Sequence, residues 1–170
     1  MRLIVLGVCL FAAACSSQGL NSPTSPTSTG PDLAETAAQA STALPFRGSF
    51  TTLTDVPPPS AHATFEGTAS HLGRFTGTGA AEVNPDNTST GTFTFTAADG
   101  DQLSGTFVGQ GVFVPPNTAR ITEVATIVNG TGRFAGATGT FTMVRSETID
   151  FATGTGSGGG TFEGQINLKK

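Results

Sequence analysis

The chain of 170 residues has no tryptophan, no tyrosine, two cysteines, two histidines and only 12% charged residues. Each scarcity removes a class of function. All thirteen aromatic residues are phenylalanine, so none carries a polar handle. Trp and Tyr are enriched at protein interfaces, and their absence argues against a large recognition surface. His62 and His71 stand too far apart in sequence for a zinc pattern, and no cysteine is placed to join them. Asp99 and Asp101 flank a glycine but lack the further oxygen ligands of a calcium loop. No metal and no cofactor is expected. There is no Gly-x-Ser-x-Gly elbow for a hydrolase. Gly154-Thr155-Gly156-Ser157-Gly158-Gly159 spells Gly-x-Gly-x-x-Gly, but a strand follows it where a dinucleotide site needs a helix, so it reads as a flexible loop. A surplus of acids, twelve against eight bases, leaves no electrostatic footprint for nucleic acid.

Long apolar runs are also missing, apart from Leu3 to Phe11. That run is far short of the ~20 residues a membrane-spanning helix needs. It follows Arg2 and precedes Ala12-Ala13-Ala14-Cys15, the three parts of a secretory signal. Cysteine directly after three alanines, with Ser16 and Ser17 behind it, resembles a bacterial lipobox, although Ala12 stands where that pattern prefers leucine. The alternative is a plain secreted protein. The lipobox reading makes residues 1–14 a signal peptide and Cys15 the lipidated N-terminus of an exported, envelope-anchored protein. Several acyl chains make such an attachment close to permanent. Ser16, in place of an aspartate, favours the outer over the inner membrane. Cys9 leaves with the signal and Cys15 is acylated, so the mature domain has neither thiol nor disulfide. Seven bases then face twelve acids, a net charge of −5.

From Cys15 to Leu44 the chain is a Ser/Thr/Pro/Ala tether that cannot bury enough apolar surface to offset its ordering entropy. Asp32-Leu33-Ala34-Glu35 resembles a capping box, which makes a short helix up to about Leu44 conceivable if it docks. From Pro45 to Lys170 the character changes. Stretches rich in Thr, Phe, Val and Ile recur between Gly, Pro, Asn and Asp, a hairpin pattern. Thr92 to Thr96 alternates strictly between Phe and Thr, and Asp99-Gly100 after it is a hairpin signal. Strands are expected at Phe46–Leu53, Ala63–Leu72, Phe75–Val83, Thr92–Thr96, from Leu103 to Phe113, Ala119–Val128, Thr140–Phe151 and Thr161–Leu168. The sequons at Asn87 and Asn129 read as turns. About eight antiparallel strands must hide their edges, which predicts a single all-β, eight-stranded barrel, with a β-sandwich as the alternative. Glycines inside strands, such as Gly67, Gly105 and Gly164, suit the corners of a curved barrel.

Two segments share Gly-Arg-Phe-x-Gly, at Gly73–Gly77 and Gly132–Gly136, and Thr-Phe-Glu-Gly occurs at Thr64 and again at Thr161. Their unequal spacing makes them recurring strand-and-turn solutions rather than a repeat array. Gly130-Thr131-Gly132-Arg133-Phe134-Ala135-Gly136-Ala137-Thr138-Gly139 resembles the Gly-Thr-Gly-x-Phe-x-x-Ala-x-Gly turn of dirigent proteins and allene oxide cyclases. The resemblance covers about fifteen residues. It implies an eight-stranded antiparallel barrel with a cavity for an apolar small molecule. The plant relatives use polar cavity groups, including tyrosines. With no tyrosine here and no functional position matching, no residue role is carried over.

Candidate ligand contacts are polar residues that share a strand face with apolar ones. Odd positions put Arg145 and Glu147 beside Phe141, Met143 and Ile149. Glu123 falls with Ile121 and Ile127, and His71 with Phe65 and Ala69. If those faces point inward, the barrel holds a charged cluster of shifted pKa. A one-residue slip would instead turn Arg145 and Glu147 into a rim pair, and Val124 with Val128 makes the face opposite Glu123 equally apolar. Three functions stay open: a non-enzymatic envelope lipoprotein binding an apolar small ligand, a cyclase or isomerase of the allene oxide cyclase kind, and a structural surface module with a filled barrel. The first is the leading expectation, with the membrane and an apolar small molecule as partners. An open apolar pocket favours the first, a pocket where Glu123, Arg145 and Glu147 converge the second, and a packed Phe core the third.

Overall fold

The alternation of apolar and hydroxyl side chains builds strands whose Phe face turns one way and whose Thr face turns the other. A computed structural model describes residues 43–55 and 59–169. The expected signal peptide, Cys15 and the expected tether up to residue 42 lie outside the described residues, and Leu44 already opens the first strand.

Eight strands follow in order: β1 (Leu44–Asp55), β2 (Ser60–Ala69), β3 (Gly73–Val83), β4 (Thr88–Ala97), β5 (Gln102–Val114), β6 (Thr118–Gly130), β7 (Thr138–Asp150) and β8 (Thr155–Asn167). Every strand pairs antiparallel with its sequence neighbour, and β1 pairs with β8 from Leu44↔Ile166 to Asp55↔Thr155. The sheet therefore closes into a barrel with no open edge, and the sandwich alternative falls away. Three connections, β2–β3, β4–β5 and β6–β7, lie at the end where β1 starts, here the near end. The far end carries β3–β4, β5–β6 and β7–β8.

Two expectations change. The second strand stops at Ala69, because Ser70 to Leu72 form the β2–β3 turn with His71 in the left-handed region (φ 66°). His71 thus belongs to no strand face. The glycine-rich segment after Gly154 is not a loop but the first half of β8, hydrogen-bonded to β1 and β7. Alternation cannot reveal a strand without side chains. Here their absence is the requirement: a Cβ on Gly158 or Gly160 would run into the carbonyl oxygen of Ser146 or Val144 on β7.

The core is the barrel's interior. Eight phenylalanine rings, from Phe46, Phe50, Phe65, Phe75, Phe93, Phe95, Phe141 and Phe162, pack into one another. Phe95 is the hub, with centroids of Phe75 at 4.8 Å, Phe93 at 5.1 Å, Phe162 at 5.8 Å, Phe65 at 6.0 Å and Phe141 at 6.1 Å. Such pairs add roughly 0.5–1.5 kcal/mol each beyond the area they bury. Outside, register aligns Thr92, Thr106, Thr126 and Thr140 in one row across β4 to β7, and sets Val108 opposite Val124.

The near end is sealed. In the β6–β7 connection a short 3-10 turn (Gly132–Phe134) buries Phe134, which joins the same core cluster as Leu72, Leu103, Ala137 and Ile166. Gly132 starts that turn at φ 53°, beside the Asp101 carboxylate, where a side chain has neither room nor a relaxed backbone. Arg133 lies over the Phe134 ring, 4.7 Å from its centroid, and pairs with Asp99 and Asp101 of the β4–β5 turn. Its guanidinium also donates to the carbonyls of His71 and Leu72. One arginine therefore ties all three near-end turns together, and Asp99 and Asp101 are occupied by it.

Candidate functional site

Beyond the Phe-packed half, the interior changes character toward the far end. β6 turns Ile121, Glu123, Ala125 and Ile127 inward, and leaves Val124 and Val128 half or more exposed. β7 turns Phe141, Met143, Arg145, Glu147 and Ile149 inward. Both strands keep the parity expected for them through this stretch. The shift in the β5–β6 register falls nearer the other end, between Ser104 and Gly105. Glu123 pairs with Met143, and Ile121 with Arg145, across the β6–β7 ladder. The guanidinium therefore lies between the two carboxylates.

The resulting cluster is closely bonded. Arg145 Nη2 donates to Glu123 Oε1 at 3.1 Å, and Nη1 donates to Glu147 Oε1. Thr54 of β1 donates its hydroxyl to the same Glu147 oxygen at 3.0 Å. Glu123 is 5% and Glu147 2% exposed, so both acids are removed from bulk water. Removing charges from water costs several kcal/mol per ion, and only a well-bonded partner offsets it. Arg145 is that partner for both. Burial pushes the Glu123 carboxyl up from the usual carboxylate range, and Glu147 adds to the rise, while the charge and hydrogen bond of Arg145 oppose it. Two carboxylates and one guanidinium leave the cluster formally one negative charge in excess.

The neighbouring strands make room by carrying glycine. A Cβ on Gly109 of β5 would stand 2.8 Å from Glu123 Cγ, and one on Gly156 of β8 would stand 2.9 Å from Glu147 Oε2. These glycines are the part of the site that residue chemistry alone does not reveal. Their signal in the sequence is a glycine at inward parity where other strands carry Phe.

A cavity of about 30 Å³ adjoins the cluster. Its walls are Thr54, Glu123 and Arg145, four phenylalanines including Phe93 and Phe107, and a patch of small residues on β2 and β3: Ala61, Ala63, Gly79 and Ala81. Pockets for drug-sized ligands run to several hundred Å³, and a water needs about 10–15 Å³. The roomy apolar cavity expected from the family resemblance is thus not found, because phenylalanines fill most of the barrel. What remains is the space of about two or three waters. Among the described residues, two side-chain polar atoms are buried without a protein partner, Thr52 Oγ1 and Arg145 Nε.

Of the four residues expected to contact a ligand, the structure brings Glu123, Arg145 and Glu147 together and sets His71 apart. His71 is exposed in the β2–β3 turn, at the opposite end, where its Nε2 hydrogen-bonds the Pro45 carbonyl at 3.1 Å. It pins the start of β1 to that turn. Thr54 and the small-residue wall are the members of the site that the sequence did not single out. Among the described residues no group of three or more His, Cys, Asp or Glu is placed to hold a metal ion.

Comparison with solved structures finds similarity to a pterocarpan synthase dirigent protein, at a TM-score of 0.46 and 15% identity, over 88% of this chain and all of that one. No protein-family model matches the chain, and no curated protein matches it. At that distance no residue role passes from one barrel to the other.

Proposed function

We propose that this protein is a lipid-anchored module of the bacterial cell envelope, held through Cys15 on the outer membrane, whose barrel binds a small, mainly apolar ligand end-on at the far end. The observation that carries the binding reading is the asymmetry of the interior. Phe packing fills the near half, whereas the far half combines small residues, a cavity and a buried Glu123–Arg145–Glu147 cluster. Evolving a filled barrel needs no buried charges, since apolar residues of similar volume are as stabilising or more so. Convergence of two carboxylates on one guanidinium also suits acid–base catalysis of the cyclase or isomerase kind. About 30 Å³, however, leaves no room for a substrate to be folded over those groups. Binding without chemistry is the reading supported best.

A structural module with a filled barrel is the second reading, favoured by the eight interlocked rings. Native mass spectrometry of the full-length protein, extracted in mild detergent from its own host, separates the two. The binding reading expects a small molecule to co-purify. A bare protein that also takes up no added apolar probe leaves the filled module. The same preparation reports on the anchor, since acylation adds the mass of its lipid. A Cys15→Ser variant is expected to lose that mass and leave the membrane fraction, and one that stays there overturns the anchoring.

A further inference from the structure

Arg145 spends both terminal nitrogens on carboxylates, yet its Nε–H is buried without an acceptor, on a side chain 10% exposed that lines the cavity. A buried donor left unpaired is a defect unless something else supplies an acceptor. Three constraints then describe the missing group. It must accept from Arg145 Nε–H. It must tolerate, and preferably donate to, the two carboxylates that flank the same guanidinium. Its head must also fit about 30 Å³, the space of two or three water-sized groups.

Each common head group meets a different subset. A carboxylate accepts but brings a third acid to a cluster already one negative charge in excess. An ammonium donates but leaves Nε–H unpaired. An aromatic ring is too large. A hydroxyl accepts one bond and donates another from a single atom. The Thr54 hydroxyl already donates to Glu147 Oε1 at 3.0 Å within the same site. Resting on the binding function proposed above, the geometry points to a ligand with a primary hydroxyl on a slim aliphatic chain. Its oxygen accepts from Arg145 Nε–H, its hydroxyl donates to Glu123, and its chain lies along Ala61, Ala81 and Phe107.

The Nε–H signal of Arg145 in a nitrogen–proton correlation spectrum of the full-length protein reads this contact directly. Titration with 1-butanol is expected to shift that signal and slow its exchange with water. n-Butylammonium and butyrate are expected to bind at least tenfold more weakly. Ala81→Leu, which fills the path of the chain and leaves the cluster intact, is expected to keep the signal and abolish its response. Equal or tighter binding of n-butylammonium or butyrate, itself blocked by Ala81→Leu, overturns the hydroxyl inference and leaves the site standing. A signal that none of the three probes moves overturns both, and marks the cavity as a water site. A response to 1-butanol that survives Ala81→Leu places the alcohol elsewhere and overturns the inference.

Discussion

The two halves of the barrel solve the same packing problem in opposite ways. At the near end, rings meet rings, Phe134 plugs the opening, and the charged network around Arg133 is at the surface. Toward the far end, β2 and β3 replace rings with Ala and Gly, and the space they release faces charges buried among apolar neighbours. Both halves are built by the same alternating strands. The difference teaches that closure of the sheet does not dictate what fills it.

The largest effects are expected from breaking each half at its hub. Arg145→Met leaves two buried carboxylates without a cation and is expected to cost about 3–5 kcal/mol at neutral pH. Phe95→Ala removes the ring that five others touch and is expected to cost a similar ~3–5 kcal/mol. Denaturant unfolding against pH separates them. Acid protonates the carboxylates and is expected to restore much of the Arg145→Met loss, while the Phe95→Ala loss stays nearly constant with pH.

A smaller effect is expected from Glu123→Gln. The Glu123 pKa is raised in the folded protein, so its contribution to stability is present below the unfolded carboxylate pKa and is lost as pH rises through the folded value. A neutral amide cannot lose it. The stability of the variant relative to the parent is therefore expected to rise from acid toward neutral pH. A difference that is flat over this range contradicts the raised value.

Much of this arrangement is legible in the sequence, for reasons that differ by residue. Glu123, Arg145 and Glu147 were identifiable because β6 and β7 keep unbroken alternation from the far end to beyond the cluster. His71 was misplaced because the apolar pattern runs on through Leu72, while the chain has already turned at Ser70. Leu72 is buried from a turn, and periodicity cannot distinguish that from a strand. The early part of β8 was missed because glycine has no side chain to alternate. Phe filling is legible in the thirteen rings, but its distribution is not, since ring count states how much volume is available and not which half receives it.

The smallest effect is expected on the outer wall, where Thr126→Val alters an exposed residue of the threonine row and is expected to change stability by less than about 0.5 kcal/mol. It serves as the baseline for substitutions inside.

A matched pair of insertions tests the central claim, that the far half keeps free volume and the near half is filled. Ala81→Leu adds its volume beside the far-end cavity, and Ala97→Leu adds the same volume to the sealed near half, where Ala97 is 3% exposed. Thermal unfolding of both against the parent is the direct measurement. Ala81→Leu is expected to melt at or above the parent temperature, and Ala97→Leu below it by an amount equivalent to about 1–3 kcal/mol of overpacking. Equal losses from the two, or a greater loss from Ala81→Leu, contradict the account.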